Sequence, residues 1–207
     1  MKIMSKILNL LSIILLFNVY NTFGQAEGDS LYVFVGEKIK VKRFTPKEMS
    51  FEDYFYVNLK SRYKVIQNIF GNYDKDIIEF ETYGHYQVSN FSKYKYVLLF
   101  VYVEDGVFYN NRFLFSDVYK TKDNRWASGY NPIDYYNKET TIQPEPIDFE
   151  KEISYNIAGM TEEDIQYWYP QPYYKIVGKK AIVCLGNYVE DLFELRKNYV
   201  LKAREIF

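Results

Sequence analysis

Apolar and polar positions alternate along the chain beyond residue 30. From Tyr32 to Phe44, Val33, Val35, Ile39 and Val41 fall on one face, and Lys38, Lys40 and Lys42 fall on the other. A period of two over that length predicts a half-buried strand. Gly36 inside it predicts a bulge or bend. Phe55 to Phe70 reads as a second long strand, with Phe55, Val57, Leu59, Tyr63 and Val65 on one side and Gly71-Asn72 as the turn that ends it. Asp76 to Tyr83 (DIIEFETY) is a third strand. Tyr96 to Val103 (YVLLFVYV) is apolar throughout, the pattern of a strand covered on both faces. Asp105-Gly106 makes a tight hairpin into Val107-Phe108-Tyr109, because glycine accepts the positive φ that such turns require. Arg112 to Thr121 is the fifth strand, closed by the polar turn Lys122-Asp123-Asn124 before Trp126.

These strands predict a mainly β fold: a five-stranded, OB-like antiparallel barrel over residues 25–127. An open sheet of this kind would leave two edges unpaired, and closure removes both. Residues 128–207 read as a linker and an α/β extension. Pro132, Pro144 and Pro146 break any period between Tyr130 and Ile147, which predicts a linker or a strap over the barrel. Thr161-Glu162-Glu163-Asp164 resembles a capping box opening a short helix that must stop before Pro170. Tyr173 to Leu185 holds a strand pair about Gly178-Lys179. Asn187, with Glu190 three residues on, caps a final helix to about Ile206 whose apolar stripe is Tyr188, Leu192, Leu195 and Tyr199. Docking of that stripe on the barrel, or on a partner, are the two readings it allows.

The first 24 residues change the picture of destination. Lys2 and Lys6 precede the apolar run Ile7 to Phe17, and Thr22-Phe23-Gly24 offers small residues for cleavage after Gly24. The run is shorter than the ~20 residues of a membrane span and has the layout of a secretory signal peptide. No cysteine stands near the cut to carry a lipid. With Lys2 and Lys6 gone, 24 basic residues face 27 acidic ones, a net charge of −3. The expectation is a secreted or periplasmic protein with no membrane segment after cleavage. Its charge also argues against nucleic acid as a partner, since phosphate neutralisation needs a basic excess.

Aromatic residues make up 20% of the chain, with 23 Tyr and 16 Phe. Flat rings pack well on pleated sheets, and a half-buried Tyr keeps its hydroxyl wet. Sheet packing is one reading of the excess. An aromatic binding surface for a glycan or a protein is the other. Tyr83, His85, Tyr86 and Trp126 are its candidate contact residues.

The stretches VFVGEKIKV, YKVIQNIFGN and KYKYVLLFV, in that order, resemble the OB-fold barrel of the netrin-like and tissue-inhibitor-of-metalloproteinases superfamily. Phe34-Val35-Gly36-Glu37-Lys38 matches its opening apolar-Gly-basic strand, Tyr63 to Gly71 its Tyr-led strand with a Gly turn, and Tyr96 to Phe100 its later apolar run. The resemblance covers roughly residues 31 to 120 and implies the barrel. Inhibitors of that family chelate the protease zinc through an N-terminal cysteine and lock an edge with disulfides. This chain has one cysteine, Cys184, and none in the barrel, so no inhibitory residue carries over. The pattern is also similar to small secreted bacterial proteins of unknown function.

Little else marks chemistry. His85, the one histidine, lacks a second ligand or a nucleophile nearby in sequence, and reads as a loop or packing residue. Cys184 lies in the apolar run Ala181 to Leu185 and reads as a buried structural thiol. Glu79 and Glu81 share a strand face and read as solvated charge. Asn90-Phe91-Ser92 fits an N-glycosylation pattern, and Asp29-Ser30-Leu31 a bacterial O-glycosylation one. No catalytic, metal-binding or cofactor set emerges. The leading expectation is a non-enzymatic binding module for an envelope protein or glycan. The alternatives are a metalloprotease-inhibitor-like protein and a hydrolase whose site the sequence does not reveal.

Overall fold

Five strands close into a barrel in the computed structural model, which describes residues 30–45, 57–84 and 89–207. They are β1 (Ser30–Phe44), β2 (Asn58–Phe70), β3 (Ile77–Thr82), β4 (Tyr96–Glu104) and β5 (Val107–Asp117). Their order around the barrel is β1-β2-β3-β5-β4, with β4 returning to β1. The fold is mainly β, an OB-like closed barrel with a C-terminal helix. The expected leader, residues 1–24, and the candidates His85 and Tyr86 lie outside the described residues.

The expected all-antiparallel barrel is corrected at one seam. β3 and β5 run parallel, meeting at Glu81 and Tyr109. Strand parity requires this: directions that alternate around a closed ring cannot do so with five members, so at least one neighbouring pair must be parallel. The β4–β5 hairpin through Asp105-Gly106 supplies the last two strands, and the 3₁₀ turn Asn90–Lys93 precedes β4 and buries Phe91.

Beyond its start, β1 departs from the simple alternation expected of it. Val33 and Val35 are buried in a core outside the barrel, whereas Phe34 is buried in the core inside it. Val41 then packs against the inner core and Ile39 is exposed. Register shifts at Val35/Gly36 and Lys38/Lys40 intervene, and a shift of one residue moves following side chains to the opposite face. The bend expected at Gly36 is therefore present. A Cβ there would sit 3.0 Å from the Phe34 ring and 3.1 Å from the Tyr63 ring, so the chain passes where a side chain would crowd the interior.

The unbroken apolar run of β4 reflects two cores. Val97, Leu99 and Val101 join Phe34, Leu59, Tyr63, Ile78, Phe80 and Phe91 inside the barrel. Leu98 and Phe100 join Val33, Val35 and Trp126 outside it, beneath the C-terminal helix. Both faces of β4 are thereby dry, as its sequence predicts.

After the barrel come β6 (Tyr119–Lys120), β7 (Trp126–Gly129), β8 (Glu145–Pro146), β9 (Ser154–Asn156), α1 (Glu162–Trp168), β10 (Tyr174–Val177), β11 (Lys180–Val183), β12 (Leu185–Tyr188) and α2 (Val189–Arg196). They build a sheet of order β6-β7-β12-β8 and a second of order β10-β11-β9. α1 starts as expected: Thr161 Oγ1 accepts the Asp164 N–H at 3.1 Å. The strand pair about Gly178-Lys179 is also present.

Two expectations for the last third are corrected. Asn187 does not cap α2; its buried side chain accepts from Tyr135 Oη at 2.7 Å, and Tyr188 holds the cap position without a side-chain bond. The buried face of α2 is Val189, Leu192, Phe193, Leu195 and Arg196, while Tyr199 beyond it is exposed. That face packs on the outer wall of the barrel, against Leu98 and Phe100. Cys184 is not a buried thiol but an exposed one. It lies between the ends of β11 and β12, where the backbone turns from one sheet to the other.

Candidate functional site

β5 ends at Asp117 beside the extension, and a cavity opens there. Its volume is about 740 Å³, and it is walled by the end of β5, β7 and the turn after it, α1, β9, β10 and the C-terminal helix. Asn131 Oδ1 accepts the Ile133 N–H at 3.1 Å, which starts the 3₁₀ turn Pro132–Tyr135 and sets that wall. Tyr130, Tyr155, Tyr169 and Tyr174 line it and are held by ring contacts. Tyr130 stacks on Tyr173 with ring centres 3.8 Å apart. Tyr155 stacks on Tyr169 at 5.5 Å, and Tyr169 meets Tyr174 edge to face at 5.0 Å. The Tyr174 hydroxyl donates to the Tyr130 carbonyl, which ties the two sets together.

Two polar arrangements form the floor. Asp117 Oδ2 accepts hydrogen bonds from Tyr119 Oη and Tyr155 Oη, each at 2.8 Å. Burial holds the Asp117 carboxyl above the usual carboxylate range, against the opposing pull of those two hydroxyls and the Arg196 charge. Burial first, and then the Asp117 charge, push the Tyr155 phenol well up; Tyr174 is shifted the same way, and Tyr94 rises to about 12. Arg196 is the second arrangement. Its Nε donates to Asp134 Oδ1 at 2.9 Å, and its Nη2 donates to Ser116 Oγ at 2.7 Å and to the Phe115 carbonyl at 3.0 Å.

The mouth is apolar and open. Phe113, Ile133, Tyr136, Trp168 and Tyr199 all line the cavity, and all are exposed, Phe113 by 70%. Large apolar side chains gathered at one opening mark a surface that meets something. Among the described residues, no three His, Cys, Asp or Glu side chains gather to hold a metal ion.

The sequence candidates lie elsewhere. Tyr83 is exposed at the end of β3, edge-on to Phe44 at 5.9 Å. Burial and its 2.6 Å bond to Glu81 push its phenol up to about 12. Trp126 is corrected from a contact residue to a core residue. It is 5% exposed, packs on Tyr96 at 4.7 Å and lies under Lys120. Neither lines the cavity. Phe113 to Asp117, Asn90 and Tyr94 do so from the barrel, and the other lining residues belong to the stretch that reads as linker and extension. The clustering of Tyr130, Tyr135 and Tyr136 around Pro132, and of Trp168, Tyr169, Tyr173 and Tyr174 around two prolines, was the signal that could have found them. Comparison of the chain with protein-family models, curated proteins and solved structures finds no match.

Proposed function

We propose that this chain is a non-enzymatic binding module acting in the secreted or periplasmic space, and that its ligand is a glycan seated in the aromatic cavity. One observation carries this reading: a polar floor lies beneath a mouth of exposed aromatic side chains, in a cavity of about 740 Å³. A sugar ring has an apolar C–H face and a hydroxyl edge. The mouth offers rings to the first, and the floor offers hydrogen-bonding groups to the second. OB-like barrels carry oligosaccharide sites in other proteins, an analogy of fold rather than of site.

The two tryptophans supply the test. Trp126 is buried and Trp168 stands at the mouth. Titration of the purified chain with a panel of oligosaccharides is expected to change the Trp168 emission. Trp168→Phe removes that signal, and Tyr130→Ala weakens binding measured by calorimetry. A folded chain that binds no glycan of the panel at millimolar concentration sinks the proposal. Release of reducing ends during the titration would replace it with a hydrolase reading, which the raised carboxyl of Asp117 favours.

A further inference from the structure

We infer that the outer face of β1 and β2 is a second binding surface, which takes a linear polysaccharide carrying a carboxylate on each sugar. It stands apart from the cavity and does not depend on what the cavity holds.

Like charges face each other across this pair of strands. Lys40 and Lys42 on β1 lie opposite Arg62 and Lys60 on β2. Lys64, two residues beyond Arg62, faces Glu37. All five cations are exposed, and none lines the cavity. Like charges directly opposite in a ladder destabilise it, so two such pairs side by side work against the fold. Acids relieve only the β2 side: Glu79 meets Arg62 at 3.5 Å, and Glu81 meets Lys60 at 3.9 Å. Among the described residues, no carboxylate forms an ion pair with Lys40 or Lys42. Contact with Lys42 and its like charge, with Arg62 adding to them, hold the Lys40 ammonium below its usual range. A bound anion relieves that repulsion.

The shape of the positive region favours a single thin chain. Neighbouring strands lie about 5 Å apart, and outward residues on one strand recur every ~7 Å. The cations therefore form a stripe two strands wide, and Glu79 and Glu81 on β3 border it on one side. A planar anionic membrane would bring its headgroups onto those two acids as well. A single polyanion lies along the stripe and avoids them. Tyr83 favours a sugar polymer. Its hydroxyl donates to Glu81 at 2.6 Å, and its exposed ring stands beside Phe44, two residues beyond Lys42. An exposed ring at the end of the stripe offers a face to the C–H side of a sugar.

The test measures binding of a 1,4-linked galacturonate hexamer to the intact chain by calorimetry, beside its methyl ester, which keeps the sugar backbone and loses the charge. The acid form is expected to bind and the ester to bind at least tenfold more weakly, with an affinity for the acid form that falls as salt rises. The double variant Lys40→Gln with Lys42→Gln is expected to weaken the acid form about tenfold. It should melt no lower than the wild type, because it removes like-charge pairs. Lys175→Gln with Lys179→Gln makes the same change in net charge at exposed positions off the stripe and is expected to leave binding unchanged. Tyr130→Ala, in the cavity, is likewise expected to leave it unchanged, which separates this surface from the cavity. Equal binding of acid and ester overturns the inference, as does no binding of the acid form or an equal loss in the two lysine double variants. Tighter binding of phosphatidylglycerol vesicles or of oligothymidylate than of the hexamer also overturns it, in favour of a membrane or a nucleic acid.

Discussion

Arg196 Nε and Asp134 Oδ1 lie 2.9 Å apart, with side chains only 6% and 4% exposed, and they join the C-terminal helix to the turn after β7. The guanidinium also holds the end of β5 through Ser116 and the Phe115 carbonyl, and it lies over the Phe100 ring at 5.3 Å. One side chain thus fixes three elements around the cavity. Removing one partner of a buried pair strands the other charge, which is costlier than removing both. Asp134→Ala is expected to lower the unfolding free energy by about 3–5 kcal/mol, read from urea denaturation. The double variant Asp134→Leu with Arg196→Met is expected to recover most of that loss.

What could be read from the sequence divides along the distance between partners. The apolar run of β4, the Thr161 cap and the Gly178-Lys179 strand pair are local patterns, and each is present. Bulges in β1 defeated the face assignment beyond Gly36, because a register shift is a property of two strands. The cavity was hidden for the same kind of reason. Asp117 and Tyr155 are 38 residues apart, and Asp134 and Arg196 are 62 apart. No spacing rule links such pairs. Trp126 misled because a lone tryptophan after a polar turn reads as a surface residue, while its indole fills the gap beneath α2.

The barrel interior contains a hydroxyl that weakens it. Tyr63 is fully buried between the rings of Phe80 and Phe91, at 5.6 and 6.2 Å, and its hydroxyl has no hydrogen-bond partner among the described residues. Burial accordingly pushes its phenol far up. An unpaired buried hydroxyl forfeits its hydration without return. Tyr63→Phe keeps the ring packing and is expected to raise stability by about 1 kcal/mol, seen as a higher urea midpoint with an unchanged slope. A lower midpoint would mean that the hydroxyl has a partner.

Gly186 lies where β12 pairs with both β7 and β8. A Cβ there would overlap the Ser128 carbonyl oxygen and stand 3.2 Å from Gly129 Cα. Backbone atoms cannot rotate aside as a side chain would, so the β7–β12 ladder must open. Gly186→Ala is expected to cost about 1–3 kcal/mol, read as a lower melting temperature. Ser128 and Gly129 line the cavity, so the same variant should also weaken ligand binding.

Asp117 sets a pH dependence whose sign is opposite to that of most carboxylates. Its carboxyl is raised in the folded state, chiefly by burial, whereas an unfolded Asp titrates near roughly 3.9. Between those two values the native chain holds a proton that the unfolded chain has lost. Stability from this group is therefore fully present below the unfolded value and is lost as pH rises through the folded one. Asp117→Asn has no such titration. The difference in unfolding free energy, wild type minus variant, is expected to fall as pH rises through that window and then to level off. Taking the difference cancels the other carboxylates, including the raised Asp191. A flat difference from pH 3 to 8 would show that the two phenols and Arg196 compensate fully for the burial, and that Asp117 is charged at no cost to the fold.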